Sequence, residues 1–375
     1  MKPLTIIIIA LALSANAQQQ LAELSGAQPG DNAGTSVILS SRGALLGAPG
    51  ATQGTGAVYG YVIPKGGWQN MSQPSFTLTA PDGAPGDQFG ISIAAAGSWI
   101  IVGAPGHANG YGALYFYQLS GGNQLVPVQE IVLSGLDAPC GLGKSVATSL
   151  SAPTWVLAAA PNCASNNYGP GAFSFQLMDG QWVLYNVSMN APAGYTMTQV
   201  VMAYGKPNSG TGIPFMAAGL DGAVDVWQSG EVKGNAPDFG TAVSMQSSSS
   251  YMFVGEPSTG TVYIYYARSY ANEPQWSDAT LVGTLTDSNL LAGSGFGSTI
   301  TSSGRRILVG APAAGLVDEF DVATLGNITK PNIVYQSNGA NFGQTIAWDI
   351  GKTPQTFIVG APAESGSGVG YVEQR

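Results

Sequence analysis

Reactive side chains are sparse in this chain of 375 residues, which holds one His, two Cys and 21 Asp and Glu. A Ser-His-Asp arrangement could be built only on His107, which stands in "GAPGHANGYG" with no nucleophile motif beside it. It reads as a solvated loop residue. Sites that gather several His or Cys around a metal are excluded by count. Two carboxylate pairs stand close in sequence: Asp82 and Asp87 in "APDGAPGDQ", and Asp221 and Asp225 in "AGLDGAVDV". Either pair has the chemistry of a general acid and base or of metal ligands. Asp-Gly is also ordinary turn chemistry, and that reading is preferred. Asp31, Asp87 and Asp238 precede first strands at equivalent positions, so they should ring one face as an acidic rim for a cation or a basic partner.

What positions these residues is a repeat. Three landmarks recur in seven copies. The first is an aromatic-glycine pair: Phe89-Gly90, Phe239-Gly240, Phe296-Gly297 and Phe342-Gly343, with Ala33-Gly34 and Leu142-Gly143 as variants. The second is Gly-Ala-Pro, at Gly47, Gly103, Gly310 and Gly360, altered to Ala159-Ala160-Pro161 and Gly255-Glu256-Pro257. The third is a glycine that opens an alternating strand, as Gly112 does in "GALYFYQL". The fourth copy is degenerate, with Met197-Thr198 and Ala217-Ala218-Gly219 in the first two slots. The mean spacing is roughly 51 residues, a period that signals propellers or solenoids.

Within a copy, runs such as "ISIAAAG", "WIIVGAP", "GALYFYQL" and "EIVLSG" read as four short strands bounded by Gly, Pro, Asn or Asp. Four antiparallel strands make a propeller blade. Small residues in the first strand suit a crowded axis, and aromatics in the third fill the widening gap between blades. Residues Leu21 to Val37 match Leu78 to Ile93, so the mature chain starts with a fourth strand that lacks a blade, while the C-terminus stops after a third strand. The expectation is an all-β, seven-bladed β-propeller of four-stranded antiparallel blades, closed when the N-terminal strand completes the last blade. Its repeats lie near 21–62, 76–119, 130–177, 183–228, 231–266, 280–322 and 333–375, within a single domain spanning 18–375.

Composition agrees. Charged residues make up 9% of the chain against about 25% in average soluble domains, and Gly numbers 53 and Pro 23. A net charge of −9 without a basic cluster argues against nucleic acid as a partner. Met1 to Ala17 has the basic start, short apolar run and small-x-small site of a cleaved secretory signal peptide, so a secreted, extracellular chain without membrane insertion is expected. Cys140 lies just before a first strand and Cys163 just after a second. Their neighbouring positions on an antiparallel hairpin favour a disulfide, as does an oxidising compartment. Sequons at Asn70, Asn186 and Asn327 fall near outer strands and offer glycosylation sites in an exported eukaryotic chain.

The paired Phe-Gly and Gly-Ala-Pro landmarks resemble the FG-GAP repeats of integrin α-subunit propellers, and "GDQFGISIAAAGSWIIVGAP" looks like the calcium-free branch of that family. Trp68, Trp182 and Trp276, each just before a fourth strand, fit a further family trait. The resemblance implies extracellular recognition through one face. It does not carry over calcium, because the hairpin between first and second strands is a tight turn such as "AAAGSW", without the Asp-rich loop that Ca²⁺ needs. No cofactor is expected.

The leading functional expectation is a non-enzymatic recognition or adhesion propeller that binds a protein or glycan. Its contacts would come from His107, Asn109 and Tyr111 in one loop and Asn166, Asn167 and Tyr168 in another, residue types that suit adaptable polar and aromatic recognition. The alternatives are an extracellular polysaccharide-active hydrolase, which would need two converging carboxylates, and a structural matrix or coat component, which would show apolar patches on its outer surface.

Overall fold

The computed structural model describes residues 19–375 apart from 122–123, 134–137, 150–154, 164–169, 193, 204–214, 227–229, 247–249, 271–272, 324–325, 338 and 350–355. The expected signal peptide, the loop residues Asn166, Asn167 and Tyr168, and the side chain of Asn186 lie outside this description.

Seven antiparallel sheets follow one another along the chain. Blade 1 comprises Ser36–Ser40, Gly43–Ala48, Ala57–Val62 and Phe76–Leu78; blade 2 comprises Ser92–Ala96, Trp99–Ala104, Ala113–Leu119 and Leu125–Ile131. The innermost strands touch their neighbours in a closed circuit, so the sheets form a ring. The last blade takes Thr345–Trp348, Thr356–Ala361 and Val369–Gln374, and its outer strand is the N-terminal Gln19–Leu24. Ala22 and Leu24 are fully buried there. Arg375 lies 3.2 Å from the buried Glu319 of blade 6, which also accepts a 2.9 Å hydrogen bond from the Tyr335 hydroxyl. Gln19–Leu24 and Arg375 are thus both tied into the ring.

The two landmarks are explained by one contact between neighbouring blades. Gly90 of the aromatic-glycine pair sits at φ +92°, and its N–H donates to the Gly103 carbonyl of its own blade. Its carbonyl points at Gly47 of the preceding blade, so closely that a Cβ on Gly47 would lie 2.0 Å from that oxygen. Gly103 meets the Gly143 carbonyl in the same way, and Gly360 meets that of Gly34 across the closure. Ser36, Ser92 and Thr345 donate side-chain hydrogen bonds to these same carbonyls at 2.6–2.8 Å. A side chain at either glycine would push the blades apart. The altered copies comply: Ala159 replaces the glycine where the next blade lacks an aromatic-glycine pair, and it packs there in one apolar cluster with Met197, while Thr198 donates to the Gly240 carbonyl at 3.0 Å as Ser36, Ser92 and Thr345 do in their blades.

The apolar core lies between blades. Phe89 is buried between blades 1 and 2, edge-on to Tyr115 and Tyr117 at 5.4 and 6.1 Å. Trp182, in the outer strand of blade 3, stacks on Phe116 of blade 2 at 5.1 Å. The Gln129 amide clamps the Trp182 backbone by accepting at 2.8 Å and donating at 2.7 Å.

Two details differ from the sequence reading. The outer strand of blade 2 starts at Leu125, ahead of the "EIVLSG" run, and includes Pro127. An outermost strand tolerates proline because one of its edges has no pairing partner, and a register shift opens beside it. Blade 5 carries a fifth strand, Asn327–Ile328, which pairs parallel with Glu273–Leu285.

Candidate functional site on the loop face

Strand direction places the loops between second and third strands, and the connections into each next blade, on one face of the ring. The tight hairpins lie on the other. Each loop is tied to the connection entering its own blade. The Gly50 N–H donates to the Asp31 carbonyl, that of Gly106 to the Asp87 carbonyl, and that of Asn162 to the Cys140 carbonyl, each at 3.0 Å. Asp31, Asp87 and Cys140 are therefore structural equivalents, and so are the residues that follow the donors: Ala51, His107 and Cys163.

Side chains add a second tie at these positions. In blade 3, Cys140 and Cys163 form a disulfide with Cα atoms 4.0 Å apart. In blade 2, Asp87 Oδ2 is 2.9 Å from His107 Nδ1 and accepts a 2.8 Å hydrogen bond from the Ala84 N–H. In blade 1, Asp31 Oδ2 accepts from the Gln28 N–H at 2.7 Å and from the Tyr59 hydroxyl at 2.6 Å. Asp238 takes the Ser258 hydroxyl at 2.6 Å. The acidic-rim expectation is corrected accordingly. Asp31 and Asp87 are buried, because a carboxylate in a tight connection is captured by nearby N–H and O–H donors.

His107 also departs from its expected role. Its side chain is only 12% exposed, and it stands among carboxylates. Nε2 lies 3.3 Å from Glu130 Oε1 and 3.6 Å from Asp82 Oδ2. The Tyr115 hydroxyl donates to Asp82 Oδ1 at 2.8 Å. Burial, followed by the carboxylates of Asp82 and His107's opposing effect, sets the proton affinity of Glu130, with a net rise above the ordinary carboxylate range. Tyr115 is raised by burial first and by its bond to Asp82 second. Asp82 and Asp87 are thus more than turn residues: they converge on His107 from two sides. Glu130 was missed because it closes an outer strand in "VQEIVL", 48 residues from Asp82 by position. Only the register of the repeat brings the two together.

The second carboxylate pair does not converge. Asp221 sits in an exposed turn, whereas Asp225 lies opposite Glu231 on the neighbouring strand. Burial and then Glu231 push Asp225 up to about 6.

The loop after Gly106 presents exposed Ala108 and Asn109, with Tyr111 partly buried. Ala108 and Asn109 are both left-handed, at φ +52° and +62°, and Thr52 and Gln53 repeat that geometry in blade 1. Nearer the axis, two open depressions of about 410 and 460 Å³ share Gly86 and Gln88. Asn32, Gln88 and Asn341 line the first one, each exposed and left-handed just before the glycine-pair position. Among the described residues no Asp or Glu lines either depression. Of the sequons, Asn70 and Asn327 are exposed, and each uses its side-chain oxygen as an acceptor, from the Glu23 N–H and the Thr284 hydroxyl respectively. No helix among the described residues is long and apolar enough to cross a membrane.

Fold and site together define a seven-bladed β-propeller with a reinforced loop face. The FG-GAP repeat family matches residues 76–117, the copy that holds Asp82, Asp87, His107 and Tyr115. Among solved structures, the chain is similar to the β-propeller domain of Myceliophteria thermophila Cps50 (Swd1), at 11% identity and a TM-score of 0.65 over 96% of this chain and 100% of that one. At that identity the likeness concerns the fold alone. No curated protein matches the chain.

Proposed function

We propose that this chain is a secreted, non-enzymatic recognition propeller that binds a protein or glycan on its loop face. The observation that carries the reading is the lining of the two axial depressions: amide and hydroxyl side chains among glycines and prolines, with Ile91, Met197 and the ammonium of Lys144, and no carboxylate among the described residues. Such groups form and release hydrogen bonds to polar ligands, whereas a polysaccharide hydrolase needs a facing pair of carboxyls in its cleft. The ties beneath the loops support the reading further, because a platform that is already rigid loses less conformational entropy when a partner docks. Export rests on the leader-like features of Met1 to Ala17.

The test is a screen of the purified chain against glycans and cell-surface extracts, followed by charge scanning of whatever binds. Gln88→Arg is expected to weaken binding by roughly tenfold or more, since it fills the floor shared by both depressions. Gln181→Arg, on the hairpin face, is expected to leave it unchanged. A screen without binders, or equal losses from the two variants, overturns the proposal.

One observation favours the structural-component reading. Val126 and Val128 on the outer strand of blade 2, and Val183 and Tyr185 on that of blade 3, are 38–54% exposed. Both strands are outer strands, so these side chains expose apolar surface on the rim of the ring.

A further inference from the structure

His107, Asp82 and Glu130 bring three donor atoms of metal-ligating type into one compact cluster. Asp87 is buried and its Oδ2 lies 2.9 Å from His107 Nδ1, so Nε2 is the ring nitrogen turned toward the other two carboxylates. That nitrogen faces two carboxylate oxygens at 3.3 and 3.6 Å, distances longer than the about 2.7–2.9 Å of a charge-assisted hydrogen bond. They match a different figure. Ligands held at about 2.0–2.2 Å around a tetrahedral ion are separated from one another by about 3.3–3.6 Å. The three donor atoms, one from each side chain, all lie within 4.8 Å of one another. Among the described residues no Lys or Arg pairs with Asp82, Asp87 or Glu130, so the three carboxylates converge on the imidazole with only neutral donors, such as the Tyr115 hydroxyl, beside it.

We propose that Asp82, His107 and Glu130 bind one divalent transition-metal ion of the zinc class. Asp87 acts as a positioning residue that fixes the imidazole tautomer, as outer-shell carboxylates do for metal-bound histidines. One imidazole and two carboxylates leave a coordination position open, and Asp82 and Glu130 are 49% and 35% exposed, so that position faces solvent. The ion would join the connection entering blade 2, the loop after its second strand and its outer strand. In blade 3 the disulfide ties the residues equivalent to Asp87 and His107, so the Asp87–His107 contact beneath the metal is the counterpart of a covalent link one blade further on. This site is on the opposite face from the hairpins where integrin-like repeats hold calcium, and it does not depend on the recognition reading.

The test uses the whole chain, free of any polyhistidine tag and stripped with a chelator, titrated with Co²⁺ and then Zn²⁺. One equivalent of Co²⁺ should give the intense visible absorption of four-coordinate cobalt, and Zn²⁺ should displace it. His107→Ala should abolish the signal, Asp82→Asn should weaken affinity at least ~10-fold, and Asp87→Asn should weaken it by about 10–100-fold. Asp82 is half exposed, so its variant is expected to fold and keeps the experiment decisive if His107→Ala does not. Absence of the cobalt band, or affinity that survives Asp82→Asn unchanged, overturns the assignment. A cluster held together by a proton on His107 would give that silent result.

Discussion

Ala108 holds a backbone conformation that costs an L-residue about 1–2 kcal/mol, and it does so while exposed, with no contact that requires its methyl group. Neighbouring Asn109 tolerates the same region better because its short amide can bond locally. Hydrogen bonds from the Gly110 N–H to the Gly106 carbonyl at 2.8 Å, and from the Gly112 N–H to the His107 carbonyl at 3.0 Å, hold the loop in place. Ala108→Gly is therefore expected to stabilise the protein by about 0.5–1 kcal/mol, part of the gain being offset by the greater freedom of glycine in the unfolded chain. Urea denaturation of the two proteins measures it, and a destabilised variant would show that the loop is not strained. The sequence announces glycines at 110 and 112 as turn residues, but nothing in "HAN" reveals two left-handed residues ahead of them. Their conformation is imposed by the closing hydrogen bonds, which join residues whose meeting is visible only in three dimensions.

The third strand of each blade carries a position, three residues after its opening glycine, that faces a partner on the loop side. Tyr59, Tyr115, Tyr263 and Tyr371 fill it in four blades, and each hydroxyl donates to a carboxylate. In blade 6, whose third strand is Leu316–Asp321, the residue is Asp318. It is fully buried against Asp287, with neither of its oxygens bonded to a protein donor. Burial, and then the Asp287 charge, push it up to about 7. A carboxyl that holds its proton more tightly when folded contributes stability that is fully present below about pH 4. That contribution disappears as the pH rises through about 7. The loss is on the order of 4 kcal/mol for Asp318. Glu373, pushed up to about 7 by burial, acts in the same direction. Stability measured by denaturant titration should fall from pH 5 to pH 8, and Asp318→Asn should flatten part of that slope by supplying a permanent donor to Asp287. An unchanged slope in the variant would rule out Asp318 as its source. At this scale the sequence was informative where glycine and alternation mark strands. It was silent where pairing is brief, as in Asn327–Ile328, and it placed the outer strand of blade 2 from Glu130 onward, whereas that strand runs back through Pro127 on a free edge.

Closure of the ring belongs to the whole molecule. The strand Gln19–Leu24 pairs with Val369–Gln374 and covers an edge that would otherwise be exposed, with Asn70 adding a 2.9 Å bond to the Glu23 N–H. A chain that starts at Gly26 should lose several kcal/mol with the burial of Ala22 and Leu24, unfold at lower temperature and associate through its open edge. A peptide spanning Gln18 to Ser25, supplied separately, should restore much of the loss. Unaltered thermal unfolding of the shortened chain would show that the strand is dispensable. The closing strand could be read from sequence because it repeats a segment found again at Leu78 to Ile93. The cluster around His107 could not, since its members come from a connection, a loop and an outer strand whose convergence depends on blade register, and each alone looks like ordinary surface chemistry.

The contact between the Gly-Ala-Pro glycine of one blade and the aromatic-glycine carbonyl of the next has a consequence for how such a chain can diverge. Neither residue is free to change first: a methyl group on Gly47 would strike the Gly90 carbonyl, and Gly90 is itself held in a left-handed geometry. A change in both partners relieves the obstacle, as where Ala159 meets Met197 in place of an aromatic-glycine pair. Drift in this ring must therefore cross blade boundaries in coupled steps, so that each copy's substitutions are answerable to its neighbour more than to its own remaining strands.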